Sequence, residues 1–279
     1  MSRLSAVLLV PPRWRGLGPV TEAERVLVVG GYDVRMVSSR REFASALREA
    51  RCGVVFGWRT ISHVLESGAV LEVHPPLVLI RKLGSEPDTG LAEEVYAELD
   101  VDEVSLQLLR TVSKAVIEEI LKELRRMVAI HPLWAKYPDV RQALKLVLTR
   151  HFRSLESLAR EVGCASSLLG RRWREARQEL ARISEGEAML PGLKQLLSAI
   201  CCLRALILWL EHPWLRRSWS LIAKELDVSY DTVRNLLGRY ADTNPSELTL
   251  EEIPALVVRL EGELRSSLGA GPWPTPEGA

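Results

Sequence analysis

The side chains in this sequence best placed to do chemistry are arginines and an asparagine set at helical spacing opposite apolar stripes. That chemistry would be hydrogen bonding to the base edges and phosphates of a nucleic acid. In SLESLAREVGCASSLLGRRWREA (154–176), Leu168, Leu169 and Trp173 would line the inner face of a helix. Its outer face would carry Ser166, Ser167, Gly170, Arg171 and Arg174. In SWSLIAKELDVSYDTVRNLLGRY (218–240), Val233, Leu236 and Leu237 would turn inward and leave Tyr230, Asp231, Arg234 and Asn235 outside. Arg234 and Asn235 suit guanine and adenine edges, whereas Arg239, further along, suits a phosphate.

Each of these helices needs a shorter one before it to set its angle. Ser154 can cap a helix whose Leu155, Leu158, Ala159 and Val162 share one face, and Gly163 then supplies the turn. Ile222, Ala223 and Leu226 do the same ahead of a turn at Asp227–Ser229. One such hairpin is common in helical proteins, where exposed arginines often do no more than solvate a face. Two in tandem, joined by the apolar run LLSAICCLRALILWL (196–210), are more specific. That run is too short to span a bilayer, is interrupted by Arg204, and reads as a buried helix.

Residues from about 140 to 248 resemble the DNA-binding domain of AraC/XylS-type regulators. ALKLVLTRHFRSLESLAREVG carries the opening pattern of the first unit, and RYADTNPSEL resembles the family's closing signature. The resemblance implies an all-α, double helix-turn-helix domain. Its base-reading places fall on Ser166, Gly170 and Arg171 in the first unit and on Tyr230, Asp231, Arg234 and Asn235 in the second. Gly170 brings no side chain, which shifts the first unit toward backbone contacts.

Upstream, short β-branched runs alternate with helical patterns. SAVLLV (5–10), YDVRMVS (32–38), GVVFG (53–57), PLVLI (76–80) and EVYAEL (94–99) read as strands, and the alternation predicts a parallel sheet covered by helices on both faces. GYDVRMVSSRREFASALREARCGVVFGWR (31–59) resembles part of a response-regulator receiver, a likeness of pattern over about 4–116. It implies a flavodoxin-like, five-stranded α/β domain. Where that family places metal-binding acids, an acceptor aspartate, a hydroxyl and a lysine, this chain has Pro11–Pro12, Gly57–Trp58, Arg81 and Glu98. The phosphorylation chemistry is therefore expected to be lost. The domain would serve packing, dimerisation or the sensing of a small-molecule or protein signal, with Trp58 and Arg81 at the former pocket mouth.

VDEVSLQLLRTVSKAVIEEILKELRRMV, without Gly or Pro, predicts one long connecting helix over 103–131. Ile117, Ile120, Leu124 and Met127 share a face that would pack on the first domain or pair with a second copy, giving a homodimer. The resulting plan is a pseudo-receiver domain at 1–102, this helix, a DNA-binding domain at 139–264 and a disordered Gly/Pro-rich tail at 269–279.

Net charge is +1, but unevenly spread: 18 basic residues meet 18 acidic ones over 1–138, 17 meet 13 over 139–249, and 2 meet 5 over 250–279. The basic middle coincides with the paired helices. The four cysteines lack metal-ligand or disulfide spacing, and nothing at the N-terminus reads as a signal peptide or anchor. No nucleophile with its base, no phosphate-cradling loop and no metal cluster is apparent, so no enzyme, cofactor or metal is expected. The expectation is a cytoplasmic, nucleoid-associated regulator binding double-stranded DNA, without a membrane partner. The alternative is an adaptor using the same helical domain to dock another protein.

Overall fold

The computed structural model describes residues 4–57, 60, 75–82, 95–183, 192–212, 219–241 and 245–268. Trp58 lies outside the described residues, as does the 269–279 tail.

Strands β1 (Ser5–Leu9), β2 (Asp33–Val37), β3 (Cys52–Phe56), β4 (Leu77–Arg81) and β5 (Ala97–Asp100) form one parallel sheet in the order β2-β1-β3-β4-β5. Every residue of β3 is buried, because a central parallel strand is covered on both faces and must be apolar on both. β2, at the edge, instead exposes Asp33 and Arg35, charges that oppose pairing with another strand. Helix α1 (Gly18–Val29) links β1 to β2, and α2 (Arg40–Leu47) links β2 to β3. α2 lies so close to β3 that a Cβ on Gly53 would meet Leu77 Cδ2 at 2.6 Å and both Leu47 and Phe43 at 2.9 Å. Phe43 and Leu47 join Val7, Leu9, Val55 and Leu79 in the core on that side of the sheet.

Strand β5 begins at Ala97 rather than Glu94, and Glu98 within it pairs with Arg81 at the end of β4, 2.8 Å apart. Two positions assigned separate roles thus neutralise each other. After β1, Pro12–Trp14 forms a single 3-10 turn that tilts the Trp14 ring against Phe56, centroids 5.8 Å apart.

Helix α3 (Val104–Ile130) stops ahead of His131–Pro132. Beyond it the chain is mostly helical, through α4 (Pro132–Lys136), α5 (Pro138–Thr149), α6 (Leu155–Val162), α7 (Ser166–Ile183), α8 (Leu193–Glu211), α9 (Trp219–Glu225), α10 (Tyr230–Ala241) and α11 (Ile253–Leu268). The described residues divide into two compact units, one within 4–119 together with 249–258, the other within 120–248 together with 259–268. The division falls inside α3 and α11 rather than at 102/103, because spatial neighbours and not sequence order define it.

α8 has 19 residues, more than the 196–210 run suggested, and by length and composition is apolar enough to cross a membrane. Leu196, Ile200, Leu203, Leu206 and Trp209 are among its buried side chains, which makes it a core helix of the second unit.

The stripe on α3 needs correcting as a seam between copies. Ile117, Ile120 and Leu124 are at most 1% exposed within the single chain, and half-buried Met127 accepts an N–H from Arg265 at 3.9 Å. Ser113, which interrupts the stripe, is buried against the Tyr32 hydroxyl at 3.2 Å. Helical periodicity marks a face without saying what covers it. Ile120→Glu is therefore expected to unfold the protein rather than yield a folded monomer, because a buried unpaired carboxylate costs several kcal/mol, about the whole stability of a domain. Circular dichroism and sedimentation of this variant decide it: a natively folded variant of half the wild-type mass would restore the seam.

Candidate nucleic-acid interface

The first helix pair is α6 and α7. Ser154 Oγ accepts the Ser157 N–H at 3.1 Å while Ser157 Oγ accepts the Ser154 N–H at 3.2 Å, so two otherwise orphaned donors are satisfied where α6 begins. At its other end Gly163 takes φ +82°, and the Cys164 N–H reaches back five residues to the Ala159 carbonyl at 3.0 Å. A left-handed residue there lets the chain reverse while still covering the last carbonyls. Leu169, Trp173, Ala176 and Leu180 of α7 are buried, and Trp173 stacks on Trp134 of α4 with centroids 5.9 Å apart and planes within 3°. Glu179 secures the far end of α7 by accepting from Lys136 and, at 2.9 Å, from the Tyr137 hydroxyl.

The second pair, α9 and α10, repeats this geometry. Asp227 takes φ +47°, and the Val228 N–H reaches back five residues to the Ala223 carbonyl at 2.9 Å. Aspartate is among the few residues other than glycine that tolerate this conformation. Ser229 Oγ then accepts the Thr232 N–H at 3.1 Å, and Val233, Leu237 and Tyr240 are buried. A shift of 64 positions carries Ala159 onto Ala223, Gly163 onto Asp227, Ser166 onto Tyr230, Leu169 onto Val233 and Trp173 onto Leu237. No family model matches the chain, and neither curated proteins nor solved structures give a match.

Under that shift Gly170 corresponds to Arg234 and Arg171 to Asn235. Ser167, Arg171 and Arg174 are exposed on α7, with Ser166 and Gly170 half-buried; Tyr230, Asp231, Arg234, Asn235 and Arg239 are all exposed on α10. Their surroundings differ. Arg171 lies 3.9 Å from Glu175, which also takes Arg172 at 3.3 Å, so the outer face of α7 carries an acid that the sequence reading left out. The Arg239 guanidinium lies over the Tyr240 ring, 5.6 Å from its centroid. The sequence reading also missed a group of cations on α3 and α5, although Gln142, Lys145, Thr149 and Arg150 recur at helical spacing.

The loop before α6 is tied to the second turn. Arg153 pairs with Asp227 at 3.5 Å, and His151 packs beside Leu226 and Arg204, whose guanidinium donates to the Val147 carbonyl at 3.3 Å. Burial, and then the Arg204 charge, hold the His151 imidazole below its ordinary pKa, while Asp227 and the Leu226 backbone oppose that shift.

Two predictions follow from this geometry. Gly163→Ala places a Cβ in a left-handed conformation and is expected to cost about 1–2 kcal/mol, read as a lowered denaturation midpoint. If it matches wild type, the turn is not under that constraint. For His151, the folded state resists protonation more than the unfolded chain does. Its contribution to stability is complete above the unfolded value of about 6.5 and is lost as pH falls below it. Melting temperature should therefore drop between about pH 7 and about pH 5, and drop less in His151→Gln; an equal drop in both proteins would remove His151 from the account.

Proposed function

We propose that this protein is a transcriptional regulator that binds duplex DNA sequence-specifically through two helix-turn-helix units of AraC/XylS type. The observation that carries this reading is the repeat itself: two helix pairs, 64 positions apart, share the same left-handed turn and the same five-residue back-bond. In both, the second helix buries an apolar face and presents polar side chains outward, the arrangement that insertion into a major groove requires. Arg234 and Asn235 are the base readers, Arg171 and Arg174 act beside them on the first unit, and Arg239 contacts phosphate.

The N-terminal unit is, in this reading, a receiver-like domain. Its parallel order β2-β1-β3-β4-β5 is that of flavodoxin-like folds, which place ligands at the carboxyl ends of the strands. Pro11 and Pro12 follow β1, Gly57 follows β3, and Arg81 is held by Glu98, so the unit works by dimerisation or by sensing rather than by phosphorylation. The protein acts by binding, in the cytoplasm and at the nucleoid, as a homodimer whose copies meet elsewhere than on the buried stripe of α3. A second reading, docking to another protein, rests on Glu175 beside Arg171 and on the exposed Asp231.

Titration of selected and scrambled duplexes at several salt concentrations separates the two. Arg234→Ala is expected to cost about 1–3 kcal/mol on the selected site and relax preference at one base pair, whereas Arg239→Ala weakens both duplexes alike and lowers the salt slope by about one. Neither change should shift the melting temperature, since both side chains are exposed. Absence of salt-dependent binding to any duplex would leave the docking reading in place.

A further inference from the structure

A cavity of about 420 Å³ opens in the second unit between the C-terminal part of α3 and α5. Arg125, Arg126 and Ala129 form one wall and Lys145, Leu146 and Arg150 the other, so four cations converge on it and, among the described residues, no carboxylate belongs to its lining. Neither wall can turn away. The opposite face of α5, with Val140, Ala143, Leu144, Val147 and Leu148, is buried. Arg141 also donates to the Ala129 carbonyl and so ties α5 to the end of α3.

The four charges are not equally engaged. Arg150 pairs with Glu161 and lies over the Phe152 ring, 5.0 Å from its centroid, and Arg126 has an interaction of its own. Among the described residues, no ion pair or hydrogen bond occupies Arg125 or the half-buried Lys145 side chain. Two like charges held on facing walls repel one another, and a bound anion removes that cost. A phosphate monoester, with close to two negative charges at neutral pH, matches them. The volume falls in the range of small-molecule sites, unlike the convex outer faces of α7 and α10.

We propose that this cavity binds a phosphorylated small molecule, with Arg125 and Lys145 clasping the phosphate from opposite walls. Leu146 and Ala129 supply apolar surface for the organic part. Gln142 offers an amide donor and acceptor; the Thr149 hydroxyl, already donating to the Lys145 carbonyl at 2.7 Å, remains as an acceptor. Such a ligand would give the protein a chemical input. The proposal does not rest on DNA binding and holds equally for a chain that binds no duplex.

The test is calorimetric titration of the full-length protein at constant ionic strength with inorganic phosphate, adenosine 5′-monophosphate and, as the uncharged counterpart, adenosine. The expected result is one saturable site for both phosphates, tighter for the nucleotide, and none for adenosine. Lys145→Gln and Arg125→Gln should each weaken it about tenfold, while Arg40→Gln, at an exposed arginine of the first unit, leaves it unchanged and melting curves show all three variants folded. No binding of either phosphate up to about 10 mM, or unaltered affinity in Lys145→Gln, overturns the proposal. So does a third outcome, in which Lys145→Gln weakens a random duplex while neither small phosphate binds, since the cavity would then be a contact for the DNA backbone.

Discussion

A helix can give way to another within three or four residues only if the backbone reverses sharply while the carbonyls left open at its end still find donors. In this chain one left-handed residue meets both demands at each place, Gly163 after α6 and Asp227 after α9, with the next N–H reaching back five residues. The angle between the paired helices follows from that bond. It decides which side of α7 and α10 is covered, so that Leu169 with Trp173 and Val233 with Leu237 go inside. The outward projection of Arg171, Arg234 and Asn235 is the consequence, and the proposed interface depends on two backbone dihedrals more than on any surface charge.

Polar groups buried elsewhere in the second unit fix its packing. Arg265 is about nine-tenths buried and donates to Glu261 and Glu123, each at 2.7 Å, which locks α11 against α3. Its two carboxylates raise its pKa against the opposing effect of burial. An ion triad of this kind contributes little net stability over an apolar substitute, but removing one partner strands a buried charge, so it selects one arrangement of α3 and α11 over others. Met127, beside Arg265, thereby belongs to an interior polar contact.

The basic residues of this unit serve two different geometries. Those on α7 and α10 stand on convex helix faces; those on α3 and α5 converge in a concavity. Arg150 belongs to the cavity and, through Glu161, also to α6. His151 follows it and packs on the second turn. A ligand drawing on Arg150 would therefore act next to both helix pairs through direct neighbours, with no need for a long path.

Local rules made much of this chain readable from its sequence. The unbroken apolar run of β3, the Ser154 cap, the glycine at 163 and the inward spacing of Leu169–Trp173 and Val233–Leu237 each depend on residues within a turn or two, and they predicted the sheet strands and the paired helices to within a few positions. Periodicity, however, specifies a face and leaves its partner open. The stripe Ile117–Ile120–Leu124 fits a seam between copies as well as an interior, and only the folded chain covers it. The pairing of β4 with β5 brings Glu98 within reach of Arg81, an ion pair between two strands some fifteen residues apart in sequence. Spatial packing grouped 249–258 with the first unit. The convergence of Arg125 with Lys145 needed two helices brought side by side, because residues twenty positions apart on separate elements share no local pattern that could announce a common site.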